Sequence, residues 1–121
     1  MTRPSIRSLA SLVLAAALSF AACGTPAAAE DTVDGRAAHA LVAAGATLLD
    51  VRTPGEWASG HIDGAVLIPV SELRGRMGEI PRDRPVVVYC ASGVRSAQAT
   101  ALLRAAGYDA RDLGGMSRWD R

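Results

Sequence analysis

Val86-Val87-Val88-Tyr89-Cys90 is the run that most limits how this chain folds. It is apolar and mostly β-branched, so it reads as a buried strand, and Pro85 at its entry is tolerated there. Beyond Ala91-Ser92-Gly93, the residues Ala99, Leu102, Leu103 and Ala106 recur at helical spacing until Gly107 ends the pattern. Cys90 thus stands where a strand ends and a loop runs into a helix N-terminus. Further strands are predicted over 46–51, over 62–69 with Val66-Leu67-Ile68 as core, and over 108–113. Helical patterns separate them. One is capped by Asp34, carries Ala38, Leu41 and Val42 on one face and closes at Gly45. Another is capped by Ser71, runs through Ile80 with Glu72 in its first turn, and has Leu73, Met77 and Ile80 as apolar positions. Strands alternating with helices predict an α/β domain, a central parallel sheet with helices on both faces. Such sheets bind ligands at the carboxyl ends of their strands, where Cys90 and Asp50 both fall.

The Cys90 loop has the makings of an anion site. Unpaired backbone N–H groups and the positive end of the helix dipole face whatever the sulfur carries. Small residues at Ala91, Ser92 and Gly93 let the backbone curl around it, and Arg95 adds a positive charge. In such a setting a cysteine pKa drops from ~8.5 to roughly 3.5–7.5, which makes the sulfur a nucleophilic thiolate. The plain alternative is a small apolar residue closing a core strand.

The 121 residues accommodate one domain and a leader. Residues 1–29 have the pattern of an export signal: Arg3 and Arg7, then an apolar run from Leu9 to Ala22 that is too short to span a bilayer. Ala27-Ala28-Ala29 suits an ordinary signal peptidase, whereas Phe20-Ala21-Ala22-Cys23 resembles a bacterial lipoprotein box with Phe20 where Leu is usual. The mature domain, residues 30–121, is therefore expected outside the cytoplasm, periplasmic or held to the membrane by a lipid on Cys23. Either cleavage leaves Cys90 as one free thiol in an oxidising compartment, a pattern that signals reactivity. Without Arg3 and Arg7 there are 11 basic residues, all Arg, against 12 acidic ones, a net charge of −1. No basic patch is interleaved with aromatics, so nucleic-acid binding has no support.

Cys90-Ala91-Ser92-Gly93-Val94-Arg95 resembles the active-site loop of the rhodanese-like sulfurtransferases. Three more stretches resemble that family's signatures, in the right order: Asp50-Val51-Arg52-Thr53-Pro54-Gly55-Glu56-Trp57, Gly60-His61-Ile62-Asp63-Gly64-Ala65, and Leu113-Gly114-Gly115-Met116-Ser117-Arg118-Trp119. The resemblance implies a single rhodanese-like domain, a monomer, in which Cys90 carries a persulfide and Ala91, Ser92, Gly93, Val94 and Arg95 bind substrate. Asp50, Arg52 and His61 become structural residues near the site. It further implies thiosulfate or a related sulfur donor, a thiol or cyanide acceptor, and no metal or organic cofactor. The family usually continues beyond the position of Trp119 with another glycine turn, so a wall of the pocket is expected to be missing.

Other readings stay open at this point. A sulfur-carrier or redox-sensing module would form the same persulfide and turn over slowly. A cysteine phosphatase would use Cys and Arg with five residues between them, whereas four lie between Cys90 and Arg95, and Tyr89 stands where that class commonly has His. Glu56, Trp57 and His61 are the alternative candidates for chemistry, with His61 as a general base for Cys90. Pro54 and Gly55 read as a loop, Gly114-Gly115 as a turn toward the site, and His39 as a solvated surface residue. Arg74, Arg76, Arg82 and Arg84 read as an exposed basic face, solvated or drawn to an acidic partner.

Overall fold

The computed structural model describes residue 2 and residues 31–121, so the leader, its cleavage readings and Cys23 lie outside the described residues. Among the described residues no helix is long and apolar enough to cross a membrane. Helix α1 (Gly35–Ala43) opens on Asp34, whose carboxylate accepts the Ala37 N–H at 2.8 Å. Strand β1 (Thr47–Asp50) follows, then a short helix α2 (Pro54–Ala58) and strand β2 (Val66–Leu67). Helix α3 (Leu73–Arg76) runs on into a 3₁₀ turn, Met77–Glu79. Strand β3 (Val86–Cys90) leads to helix α4 (Val94–Ala105), and β4 (Ala110–Gly115) ends in a second 3₁₀ turn, Met116–Asp120.

The sheet order is β2-β1-β3-β4 and every pairing is parallel. The α/β architecture read from the alternation is therefore the one observed. Every residue of β3 is buried, as a central parallel strand requires. Alternate side chains feed two cores. Leu49, Val86, Val88 and Cys90 pack with Leu73, Ala99 and Leu103 on one face, while Leu48, Val87, Tyr89 and Leu113 pack with Ala38 on the other. At ~1.5–3 kcal/mol for each fully buried large apolar side chain, these two faces supply the main stabilisation.

Several boundaries differ from the sequence reading, each for a local reason. Pro54 and Gly55 do not break the chain; they start α2. Pro54 occupies the first helical turn, Thr53 caps it, and Glu56 reaches back to the Thr53 N–H in a reciprocal capping box. Ser71 caps nothing: the turn Pro69–Glu72 precedes α3, whose own N-cap position, Glu72, makes no side-chain cap bond. Of residues 62–69 only Val66 and Leu67 pair as strand, at the sheet edge where Val66 is exposed. The last strand is shifted to Ala110–Gly115, because the Tyr108 hydroxyl is held between the carbonyls of Met77 (2.7 Å) and Ile80 (3.0 Å). Gly114 and Gly115 consequently pair with Tyr89 and Cys90 in the sheet, past an irregularity at Val88/Tyr89, rather than forming a turn. Of the four arginines expected on an exposed basic face, Arg74, Arg82 and Arg84 are exposed, and two of the four, Arg76 and Arg84, are ion-paired. Arg76 pairs with Glu72 and Glu79, Arg84 with Asp83, and Arg82 donates to the Ala106 carbonyl over the Tyr108 ring.

Candidate active site

Cys90 is the last residue of β3 and is fully buried at the floor of the loop that follows. The Gly93 N–H donates to its sulfur at 3.0 Å. Gly93 has φ +105°, the left-handed conformation that only glycine adopts without strain, and α4 begins at the next residue. The sulfur thus sits where a helix N-cap acceptor would, facing first-turn N–H groups that have no partner within the helix. Burial alone pushes the Cys90 thiol pKa up. The Ser96 hydroxyl and the N–H groups of Ser96, Gly93 and Ser92 together outweigh it, and the net shift is downward. Ser96 is fully buried, and its hydroxyl also lies 3.1 Å from the Gly93 carbonyl. It carries one proton, which serves either the carbonyl or the sulfur at a given moment. Ala91, Ser92 and Val94 form the exposed rim, with no charge among them.

Arg95 is held elsewhere. Its two terminal nitrogens grip the Glu56 carboxylate at 2.5 and 2.9 Å, a bidentate pair 39 residues apart in sequence. Glu56 is in turn fixed by its capping bonds to the Thr53 backbone and hydroxyl. The Arg95 contact, followed by those of Thr53, lowers the Glu56 pKa to about 2. Glu56 raises the Arg95 pKa, with a smaller contribution from the charge of Cys90, so guanidinium and thiolate do sense each other.

Behind the loop lies a second ion pair. Asp50, fully buried, accepts the Arg52 N–H at 2.9 Å, and Arg52 Nε and Nη2 bind the same carboxylate at 3.0 and 2.7 Å. Arg52 Nη2 also donates to the Gly60 carbonyl at 2.8 Å, so the pair clamps the segment that carries Glu56. Asp50 raises the Arg52 pKa further, burial opposing it. Tyr89, beside Asp50 in the register, lies with its ring 5.6 Å from the Arg52 guanidinium and accepts the Ile62 N–H at its hydroxyl. Burial pushes that phenol up to about 12, so it stays neutral.

The sequence-predicted residues therefore divide. Cys90 and Ala91 through Arg95 form one loop, and Asp50 with Arg52 lies on the adjacent strand, in register with Tyr89 and bonded to the Gly60 carbonyl. His61 stands apart: it stacks on Trp57 at 3.5 Å, its Nδ1 lies 3.0 Å from the Trp57 carbonyl, and it is exposed. His39 is exposed, as expected of a surface residue, and its ring also lies tilted against Trp119 with Nε2 2.8 Å from the Trp119 carbonyl. Ser96 has no role in the sequence reading, and the pairing of Arg95 with Glu56 is not expected from it. Ser96 had a signal, since with Ala99, Thr100 and Leu103 it makes an i, i+3, i+4, i+7 stripe of buried positions on α4.

Gly115 shows how closely β4 supports the loop. A Cβ on Gly115 would lie 2.8 Å from the Ala91 carbonyl oxygen, a backbone atom with no room to yield cheaply. Gly115→Ala is expected to displace the loop and weaken the amide cradle while the sheet survives. Sulfur uptake should fall about tenfold with circular dichroism unchanged, a loss of roughly one charge-assisted contact. Wild-type uptake in that variant would show that the loop moves without consequence.

The profile "Rhodanese-like domain" matches residues 34–121. The chain is 50% identical over 76 residues to "Probable adenylyltransferase/sulfurtransferase MoeZ" of Mycobacterium tuberculosis; the match covers 60% of this chain but only 19% of that protein. It is 49% identical over 77 residues to "Sulfurtransferase" of Allochromatium vinosum, covering 61% of this chain and 71% of the relative. Among solved structures, a rhodanese-related protein from Thermoplasma volcanium superposes with a TM-score of 0.67 at 34% identity, covering 74% of this chain and 89% of that one. The strand order, the cysteine at the end of β3 and these similarities converge, and the chain belongs to the rhodanese-like domain family.

Proposed function

We propose that this chain is a sulfurtransferase that moves a sulfane sulfur from thiosulfate or a related donor to a thiol or cyanide through a persulfide on Cys90. The observation that carries this is the sulfur's position: buried, at the start of α4, with amide and hydroxyl donors that lower its pKa. The naming of relatives as sulfurtransferases supports it. The Cys90 thiolate attacks the outer sulfur of thiosulfate; the S–S bond of the donor breaks and sulfite leaves with the bonding pair. The persulfide then carries the negative charge, which the N–H groups of Ser92, Gly93 and Ser96 are placed to hold. An acceptor thiolate attacks the outer persulfide sulfur, takes it, and returns Cys90 as thiolate, giving two half-reactions.

A sulfur-carrier role is the second reading. It is favoured by the Glu56–Arg95 pair, which leaves the neutral rim without a free cation to draw a dianionic donor. The two readings separate on turnover. Supplied with thiosulfate and cyanide, the chain should release sulfite and thiocyanate continuously and should not hydrolyse an aryl phosphate above a Cys90→Ser control. Cys90-dependent phosphate release would reverse the assignment; a single stoichiometric sulfite burst would leave the carrier.

A further inference from the structure

Arg95 is the only charged residue between Cys90 and Arg104, and its guanidinium is already paired. Its two terminal nitrogens go to Glu56, one to each carboxylate oxygen. Two further bonds hold that carboxylate in place, since Glu56 Oε1 accepts the Thr53 N–H and hydroxyl at 3.2 Å each. The Thr53 hydroxyl in turn accepts the Glu56 N–H, so the capping box fixes both the backbone and the side chain of Glu56. Arg52 anchors the far end of the same segment through the Gly60 carbonyl.

The pair lies within electrostatic reach of the sulfur, because the charge of Cys90 is felt at Arg95. Each member is about one-third exposed, so an incoming anion can reach both. A dianion that approaches Arg95 therefore meets the Glu56 carboxylate with it. The two opposite charges stand one hydrogen bond apart, and for a third charge beyond contact distance their fields largely cancel. The attraction that remains comes from the loop N–H groups, which serve any anionic sulfur alike. The rim residues Ala91, Ser92 and Val94 add no charge of their own.

We propose that Glu56 is a positioning residue that sets the charge of the sulfur donor: by holding Arg95 it disfavours a dianion and leaves the site to donors with a single negative charge, of the organic thiosulfonate type. The proposal rests on the Cys90 persulfide reading. In the step concerned, the Cys90 thiolate attacks the outer sulfur of the thiosulfonate. The S–S bond of the donor breaks, the sulfinate leaves with the bonding pair, and the persulfide keeps the negative charge. Thiosulfate undergoes the same step with sulfite as the leaving group, so the two donors differ by one charge while the bond broken is of the same kind.

The test follows single-turnover sulfur uptake by the reduced chain from methanethiosulfonate and from thiosulfate, a monoanion and a dianion of similar size. Glu56→Gln removes the charge and keeps a side chain that suits the capping box. It should raise the uptake rate constant for thiosulfate about tenfold, by lowering the half-saturating concentration, and change that for methanethiosulfonate much less. Raised salt should erode the gain. Adding Arg95→Gln to that variant makes the wall neutral again and should return the ratio of the two donors toward wild type. Glu56→Asp keeps the charge and should give no gain; a gain there would assign the effect to loosened packing and overturn the proposal. An unchanged donor ratio in Glu56→Gln would overturn it as well. Wild type supplies a check that needs no variant: its uptake from thiosulfate should be no more salt-dependent than its uptake from methanethiosulfonate, and a steeper loss for the dianion would reveal a free cation and contradict the proposal. Failure of wild type to take up sulfur from either donor would instead overturn the persulfide reading, and this proposal with it.

Discussion

Asp50→Ala is expected to lower the stability of the domain by about 3–5 kcal/mol, because it leaves the Arg52 guanidinium buried without its counter-charge. Arg52 is 5% exposed and would keep the Gly60 carbonyl and the face of the Tyr89 ring, neither of which carries a counter-charge. A domain of ordinary stability has about 5–15 kcal/mol in hand, so the variant should sit near the edge of unfolding. The effect reaches the site as well. The clamp through Gly60 positions the segment carrying Glu56, and Glu56 positions Arg95. Urea denaturation should show a midpoint shifted strongly downward with the slope unchanged. A midpoint within error of wild type would show that Arg52 finds water or another partner, and that the buried pair contributes little.

Cys90→Ser is expected to abolish sulfur transfer. A serine hydroxyl is not ionised at neutral pH and forms no persulfide, whatever the loop around it does. The pH dependence follows from the direction of the shift. The folded thiol has a lower pKa than the free one, with the opposing burial overcome by Ser96 and the loop N–H groups. The thiolate and its stabilisation are therefore fully present above the ordinary thiol pKa, and are lost as pH falls through the lower folded value. Sulfur uptake should rise with pH and level off below the ordinary thiol range, in step with the ultraviolet absorbance of the thiolate. Ser96→Ala should move both curves to higher pH together. Curves that climb through the ordinary thiol range in wild type would mean that burial wins over the loop donors.

How much of this was legible depends on whether a feature is local. The β3 strand, the start of α4 and the placement of Cys90 between them follow from an uninterrupted β-branched run and a helical repeat, both contained in about twenty residues. Asp34 likewise announces its helix by residue type and is found capping it. What the residues did not reveal are relations across distance. Arg95 looked like a free cation because nothing acidic lies in its loop; its partner is 39 residues away. Gly114 and Gly115 read as a turn because glycine permits one, while in the fold they pair beside Tyr89 and Cys90, Gly114 at φ +90° past the irregularity and Gly115 where a Cβ would strike the loop. Pro54 was read as a breaker although Thr53-Pro54-Gly55-Glu56 also spells a capping box with proline at its first turn. There two local rules compete over the same four residues, and the capping box prevails.

Sulfur transfer by this chain requires Cys90 to carry the transferred sulfur, and intact mass measures that directly. The chain, reduced, incubated with thiosulfate and freed of small molecules, should gain the mass of one sulfur atom. Cyanide should remove that mass with release of thiocyanate, and Cys90→Ser should show neither change. Wild-type protein with a reduced Cys90 that gains no sulfur from thiosulfate, from a persulfide or from polysulfide would contradict the account.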